Sequence, residues 1–251
     1  MNQIIFERPN YKELRKEYNL FDMHVHSKYS DGVRKIRRIL KRANTLGIGV
    51  AITDHNKIKG AVMAYKNRFD VRIIPGIEIM TTRYEELLFY FHRLSDLKKF
   101  YEGIIKKNQT TKRMNKLDIS LNELVEYGRR FNSVVSIPHP YWPIPTNYSR
   151  ILKNDKSIFK KVDAVEVLNS QKRRRNNLKA IELCKRLNKS ITGGSDTHIL
   201  SELGRCVTCA KNDILEDITK DRVIVVGKEI RLIKKIRSHS CSSTKNIFKM
   251  S

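Results

Sequence analysis

The chain has 251 residues, is 40% hydrophobic, and sets 51 Lys and Arg against 26 Asp and Glu for a formal net charge of +25. That size suits one α/β domain around one large core, while the absence of any apolar run near the roughly 20 residues of a membrane span, and of a signal-peptide core in the first twenty, predicts a soluble cytoplasmic protein with no membrane partner. The charge favours phosphate-rich partners through steering and counterion release, but a Lys-rich proteome produces the same excess, so charge alone names no substrate.

Residues 1–18 read as a polar, irregular lead-in or a short helix around Tyr11 to Glu17. Phe21 to Val25 reads as a short buried strand, in which residues two apart project to the same side, so His24 and His26 aim at one point. Ser30-Asp31-Gly32 is turn chemistry that brings Asp31, a hard oxygen ligand, back to the strand's end. Val33, Ile36, Ile39, Leu40, Ala43 and Leu46 then recur at helical spacing up to Gly47, which turns Arg34, Lys35, Arg37, Arg38, Lys41 and Arg42 to solvent. These six cations read as a solvated face rather than a nucleic-acid site.

A strand at 48–53 ends in Asp54-His55, a helix follows at 60–69, and a strand at 71–75 leads to Glu78. The continuous apolar character of these strands predicts a parallel sheet covered on both faces. Leu87 to Phe91 is a further apolar run with Glu85, Glu86 and His92 at its ends, and His92 reads as a partly exposed strand end. Residues 94–107 read as a helix and 106–116 as a basic loop. Ser120 and Glu123 form a capping box that opens a helix to about Phe131.

The strand 133–137 delivers His139 into the stiff, Pro-rich loop 138–145, where Tyr141 and Trp142 suit either stacking on a ring or packing on the body of the fold. Val162 to Leu168 is an inner strand. Lys172 to Arg175 follow at a strand-to-helix junction, where Arg173 and Arg174 are the candidate phosphate-binding residues, with an exposed helix start as the plain alternative. A strand at 189–194 ends in Asp196 and His198. Cys206 to Ala210, a helix at 214–218 and a strand at 222–226 complete the fold, before a basic tail at 238–251 that is expected to fray. The domain is thus expected to span 19–237. Cys184, Cys206, Cys209 and Cys241 read as reduced thiols, because the Cys206-Val-Thr-Cys209 spacing lacks the second pair a zinc ribbon needs.

Five apolar runs therefore end in imidazoles or carboxylates, and functional residues of α/β folds gather at strand carboxyl ends. Together His24-Val25-His26 with Ser30-Asp31-Gly32, Thr53-Asp54-His55, Gly76-Ile77-Glu78, Pro138-His139-Pro140 and Gly194-Ser195-Asp196-Thr197-His198 resemble the PHP (polymerase and histidinol phosphatase) family of metal-dependent phosphoesterases. The resemblance covers 21–198 and implies a distorted, seven-stranded (β/α)7 TIM-like barrel with two or three divalent ions at its strand ends. The chain departs from the family where a further His often follows the Glu78 motif by seven or eight residues. Glu85-Glu86 stand there, and the nearest imidazole is His92.

His24, His26, Asp31, His55, Glu78, His139, Asp196 and His198 are the candidate metal ligands, too many for one tetrahedral ion but suited to two or three Zn, Mn or Fe ions. Glu78 bridges them by resemblance. Asp54 and His198 are the catalytic candidates, with Asp54 orienting a ligand or relaying a proton. The implied reaction is hydrolysis of a phosphate ester by a metal-bridging hydroxide. The substrate is a phosphorylated small molecule or short nucleic acid; a nucleotide or short oligonucleotide is favoured over histidinol phosphate. A non-catalytic domain that binds nucleic acid or a polymerase is opposed by the nearly complete ligand set, and an amidohydrolase-like barrel by the lack of a Lys at any motif position.

Overall fold

The structure is a computed structural model that describes residues 3–67, 69–110 and 116–230. The basic tail, Cys241 and part of the 106–116 loop lie outside the described residues. Among the described residues ten strands form one sheet: β1 (Gln3–Ile5), β2 (Asn19–Val25), β3 (Gly49–Ile52), β4 (Ile73–Met80), β5 (Glu86–Tyr90), β6 (Val134–Ile137), β7 (Ala164–Asn169), β8 (Ser190–Gly194), β9 (Cys206–Ala210) and β10 (Ile224–Gly227). Their order is β1-β10-β9-β2-β3-β4-β5-β6-β7-β8.

Within the run from β2 to β8 the pairings are parallel, except that β5 is antiparallel to both β4 and β6. These seven strands curl into a TIM-like barrel, distorted because its first and last members meet through a few irregular contacts instead of a ladder. Asp196 N–H donates to His24 C=O at 2.8 Å and His26 N–H to Thr197 C=O at 3.1 Å. Buried Asp22 reinforces this seam by accepting from the Ser195 and Gly204 N–H groups, each at 2.8 Å. Gly194 permits the approach: a Cβ there would stand 2.4 Å from the Cβ of His24 and 2.6 Å from its backbone nitrogen.

Strands β2 to β10 are buried along most of their length, as their apolar runs require, whereas edge strand β1 is not. The helix Ile36–Leu46 buries the anticipated stripe and ends at Gly47, whose φ of 64° is left-handed. The Ser120–Glu123 capping box is present and opens the helix Leu121–Arg129.

Three readings need correction. Residues 3–5 are not irregular but pair in parallel with β10 at the sheet edge; a three-residue strand is too short to leave a periodic signal. The helix expected at 94–107 contains a π-helical stretch at Tyr101–Ile105. The strand at 71–75 runs on to Met80, so Glu78 lies inside β4 instead of beyond it.

The reversed β5 has a direct consequence for the site. Met80 pairs with Glu86, so the start of β5 lies beside the end of β4, while its own end delivers His92 to the far mouth, 3.8 Å from Asp213. Gly194→Ala is expected to cost about 1–3 kcal/mol or more, because the added methyl meets backbone atoms of β2 that cannot move without opening the seam. Urea denaturation of both proteins measures it, and an unchanged midpoint would show that the seam is not a closure point.

Candidate metal centre

Glu78 is fully buried within β4, two residues before its end, and four imidazoles surround it. Its Oε2 lies 3.3 Å from His24 Nε2, 3.3 Å from His26 Nε2 and 3.2 Å from His55 Nδ1, and its Oε1 lies 3.3 Å from His139 Nε2. Strand alternation delivers the first pair: His24 and His26 bring their Nε2 atoms to 3.0 Å from each other. Asp196, following β8, places Oδ1 3.3 Å from His26 Nε2 and 3.7 Å from His24 Nε2. His139 and Asp196 both hold positive φ, 26° and 50°, a backbone cost that recurs where side chains must be aimed.

Nearer the rim, Asp31 Oδ2 lies 3.0 Å from His198 Nε2 and 3.7 Å from His55 Nε2, and Asp31 Oδ1 lies 3.4 Å from His26 Nδ1. The His198 ring stacks on His26 at 4.6 Å between centroids. The structure thus brings together all eight candidate ligands. Asp54 is not among them, because both its oxygens face the loop after β2: they accept from Ser27 N–H, Ser27 Oγ–H and Ser30 Oγ–H, each at 2.7 Å. That loop connects His26 to Asp31, so Asp54 fixes the geometry between two ring members.

The candidate phosphate residues Arg173 and Arg174 are both exposed. Arg174 is held by Glu229 in a two-pronged pair at 2.7 and 3.0 Å and lies over Phe6. Among the described residues the cation that reaches the cluster is Lys172, whose Nζ lies 2.7 Å from Asp196 Oδ2. A cavity of about 440 Å³ opens over the cluster, walled in part by Lys172, Trp142 and Ile199. Trp142 lies over the Lys172 ammonium at 5.7 Å, whereas Tyr141 packs on Tyr148.

Sequence reading missed Glu166, Lys172 as distinct from its neighbours, and Glu86. Glu166 accepts from or shares a proton with His24 Nδ1 at 2.9 Å, and accepts from the His139 N–H and the Asn169 side-chain amide, each at 2.9 Å. It thereby turns His24 so that Nε2 faces the cluster. Its signal was a carboxylate in the middle of the run 162–168, between Val165 and Val167. Glu86, where the family resemblance anticipates an imidazole, is buried and grouped with His55 and Glu78.

Divalent ions fit this donor set. Atoms bound to a tetrahedral ion at about 2.1 Å lie about 3.3–3.4 Å apart, which matches the spacing around Glu78. Moreover, His55 Nδ1, Glu78 Oε1 and Glu86 Oε2 are buried without a hydrogen-bond partner, and a cation would satisfy all three. The free thiols play no part: Cys184, Cys206 and Cys209 are buried, and burial pushes the Cys209 thiol up to about 12.

Burial alone would lower the His24 and His26 pKa values, but surrounding carboxylates outweigh it and hold both well above the ordinary imidazole value. For His24 these are Glu166, Glu78 and Asp196; for His26, Asp31, Asp196 and Glu78. In the metal-free cluster the carboxylates therefore favour retention of a proton on this pair, and metal binding competes with it. Affinity for Zn²⁺ should accordingly rise with pH through neutrality and beyond. Calorimetry at pH 7 in two buffers of different ionisation enthalpy should show at least one proton released per ion bound, and identical heats in both buffers would contradict this.

Comparison with known proteins agrees with the geometry. The PHP domain model matches residues 22–192, and a PHP-associated model matches 174–222. An uncharacterized protein of Methanocaldococcus jannaschii is 33% identical over 167 residues, covering 61% of this chain and 82% of its own length. Among solved structures, PsfC from Pseudomonas syringae superposes with a TM-score of 0.65 at 19% identity, covering 91% of this chain and 99% of PsfC. A two-domain protein from Bacteroides vulgatus containing a predicted PHP-like metal-dependent phosphoesterase gives a TM-score of 0.61 at 16% identity, covering 90% of this chain and 68% of that one. Endonuclease Q from Pyrococcus furiosus, a lesion-specific endonuclease, gives a TM-score of 0.61 at 20% identity; the match covers 83% of this chain and 57% of that protein. With the family model spanning most of the barrel and its motifs converging on one cluster, the chain belongs to the PHP-domain family.

Proposed function

We propose that the chain hydrolyses phosphate esters at this cluster, with a nucleotide or short oligonucleotide as substrate. The observation that carries the reading is the buried Glu78 carboxylate ringed by four imidazoles at 3.2–3.3 Å beneath an open cavity. His24, His26, His55, Glu78, His139 and Asp196, with Asp31 and His198 nearer the rim, would hold two or three ions, and mixed imidazole and carboxylate donors suit Zn²⁺, Mn²⁺ or Fe²⁺. When bound, such ions polarise a phosphate oxygen and activate water.

The chain's own residues do the rest. Lys172 presents an ammonium to the cavity. Burial would lower its pKa, but Asp196, Glu166 and Glu86 outweigh that and keep it charged, so it can neutralise a phosphate oxygen in place of Arg173 and Arg174. Asp54 keeps Asp31 and His26 in register, and Glu166 keeps His24 and His139 in place. Trp142 is 40% exposed on the cavity wall, which offers a flat face for a base. Endonuclease Q has been solved with a duplex carrying an abasic lesion at its active site, and a formal charge of +25 on this chain favours such polyanions.

Asp196→Asn and His55→Ala are each expected to abolish turnover while leaving the fold intact, and a chelator should mimic them. Wild-type kcat in either variant at saturating metal would remove that residue from the site. Lys172→Met should retain metal but lose about 10- to 100-fold in kcat/KM, the worth of one charge-assisted hydrogen bond. Substrate choice is tested by comparing kcat/KM for a nucleoside 3′,5′-bisphosphate, a short DNA or RNA strand and histidinol phosphate at two salt concentrations. Preference for histidinol phosphate without salt dependence would overturn the nucleotide reading.

A further inference from the structure

Glu86 stands out among the side chains near the cluster because its position is built while its carboxylate Oε2 is buried without a hydrogen bond. It is 5% exposed. The fully buried Asn147 holds its backbone from both sides: Glu86 N–H donates to Asn147 Oδ1 at 2.9 Å, and Asn147 Nδ2 donates to Glu86 C=O at 3.0 Å. The same Nδ2 also donates to Pro138 C=O at 3.2 Å, one residue before His139. One amide therefore sets Glu86 and His139 relative to each other.

The Glu86 side chain ends among atoms that lack partners. Glu86 Oε2, Glu78 Oε1 and His55 Nδ1 are each buried without a hydrogen bond, and the three residues offer ligand atoms within 4.8 Å of one another. His139 Nδ1 lies 3.7 Å from Glu86 Oε2, too far for a hydrogen bond. Two carboxylates buried this closely repel, and a water would satisfy their oxygens without offsetting their charge.

We propose that Glu86 is a metal ligand, and that with Glu78 and His55 it forms a carboxylate-rich subsite where the advantage of Zn²⁺ over Mn²⁺ is smallest. This rests on the reading of the cluster as a metal centre. The chemistry follows from the donors. His24 and His26 make the neighbouring subsite imidazole-rich, which suits Zn²⁺, whereas two carboxylates and one imidazole suit a harder ion such as Mn²⁺. A chain with two unequal subsites should take a mixed pair when offered both metals.

The test uses metal-free full-length protein titrated with Mn²⁺, with Zn²⁺, and with both. Bound metal is counted by elemental analysis, and bound Mn²⁺ by the loss of its free-ion electron paramagnetic resonance signal. Wild type should hold one Mn²⁺ in the presence of one equivalent of Zn²⁺. Glu86→Gln, which keeps the shape but removes the charge, should weaken that Mn²⁺ at least tenfold and leave the first Zn²⁺ in place. Glu86→His should retain two ions but shift the competition at the second subsite at least tenfold toward Zn²⁺.

If Glu86→Gln binds both metals as wild type does, Glu86 is not a ligand and the inference falls. Should Glu86→Gln fail to fold by circular dichroism, Glu86→His decides alone, and an unchanged Zn²⁺-to-Mn²⁺ preference overturns it. Wild type that binds no ion at all would sink the metal-centre reading itself, whereas two ions indifferent to residue 86 would sink only this inference.

Discussion

A carboxylate removed from water must be matched by charge or hydrogen bonds, or it destabilises the fold by several kcal/mol. Glu78 is fully buried, and four imidazole nitrogens stand at 3.2–3.3 Å from its oxygens. Those imidazoles come from β2, the loop after β3 and the loop after β6, so the pairing of one charge ties together elements far apart in sequence. Carboxylates outnumber a simple exchange: Asp196, Asp31, Glu86 and Glu166 crowd the same imidazoles. A cluster so rich in anionic donors, with orphaned atoms at its centre, is organised to hold cations.

The seam that closes the distorted barrel is built in part from the cluster's own residues. The seam between β8 and β2 is closed by backbone bonds to His24 and His26 and by the buried Asp22 carboxylate. The same residues that close the sheet therefore aim the metal-facing nitrogens. Around them a layer of support fixes each donor: Glu166 turns His24, Asp54 braces the loop to Asp31, and Asn147 locks Glu86 against the His139 loop. Support of this kind commonly matters nearly as much to a metal site as the ligands themselves.

Much of this was legible in the sequence for a physical reason. A two-residue repeat in a strand places His24 and His26 on one face, and parallel strands send their ends to one mouth, so motifs at those ends must converge. Three features escaped because they depend on tertiary placement. Glu86 reaches the cluster from the start of a strand, since β5 runs against both its neighbours, and direction within a sheet leaves no mark on an apolar run. Lys172 could not be told from Arg173 and Arg174 by composition; what separates them is that Glu229, more than fifty residues on, occupies Arg174. Glu166 did leave a mark, a charge within an inner strand, and such a residue is better read as a partner of the site than as an irregularity.

The central claim is that the Glu78 cluster is a divalent-metal centre that shares its carboxylate between ions. Anomalous diffraction from crystals of the protein grown with Zn²⁺ or Mn²⁺ tests it most directly. The account predicts at least two anomalous peaks flanking the Glu78 carboxylate, roughly 3.5–4 Å apart, with the His24 and His26 Nε2 atoms directed at one of them. A well-ordered structure with Glu78 hydrogen-bonded to imidazoles alone, and no peak at the cluster, would contradict it.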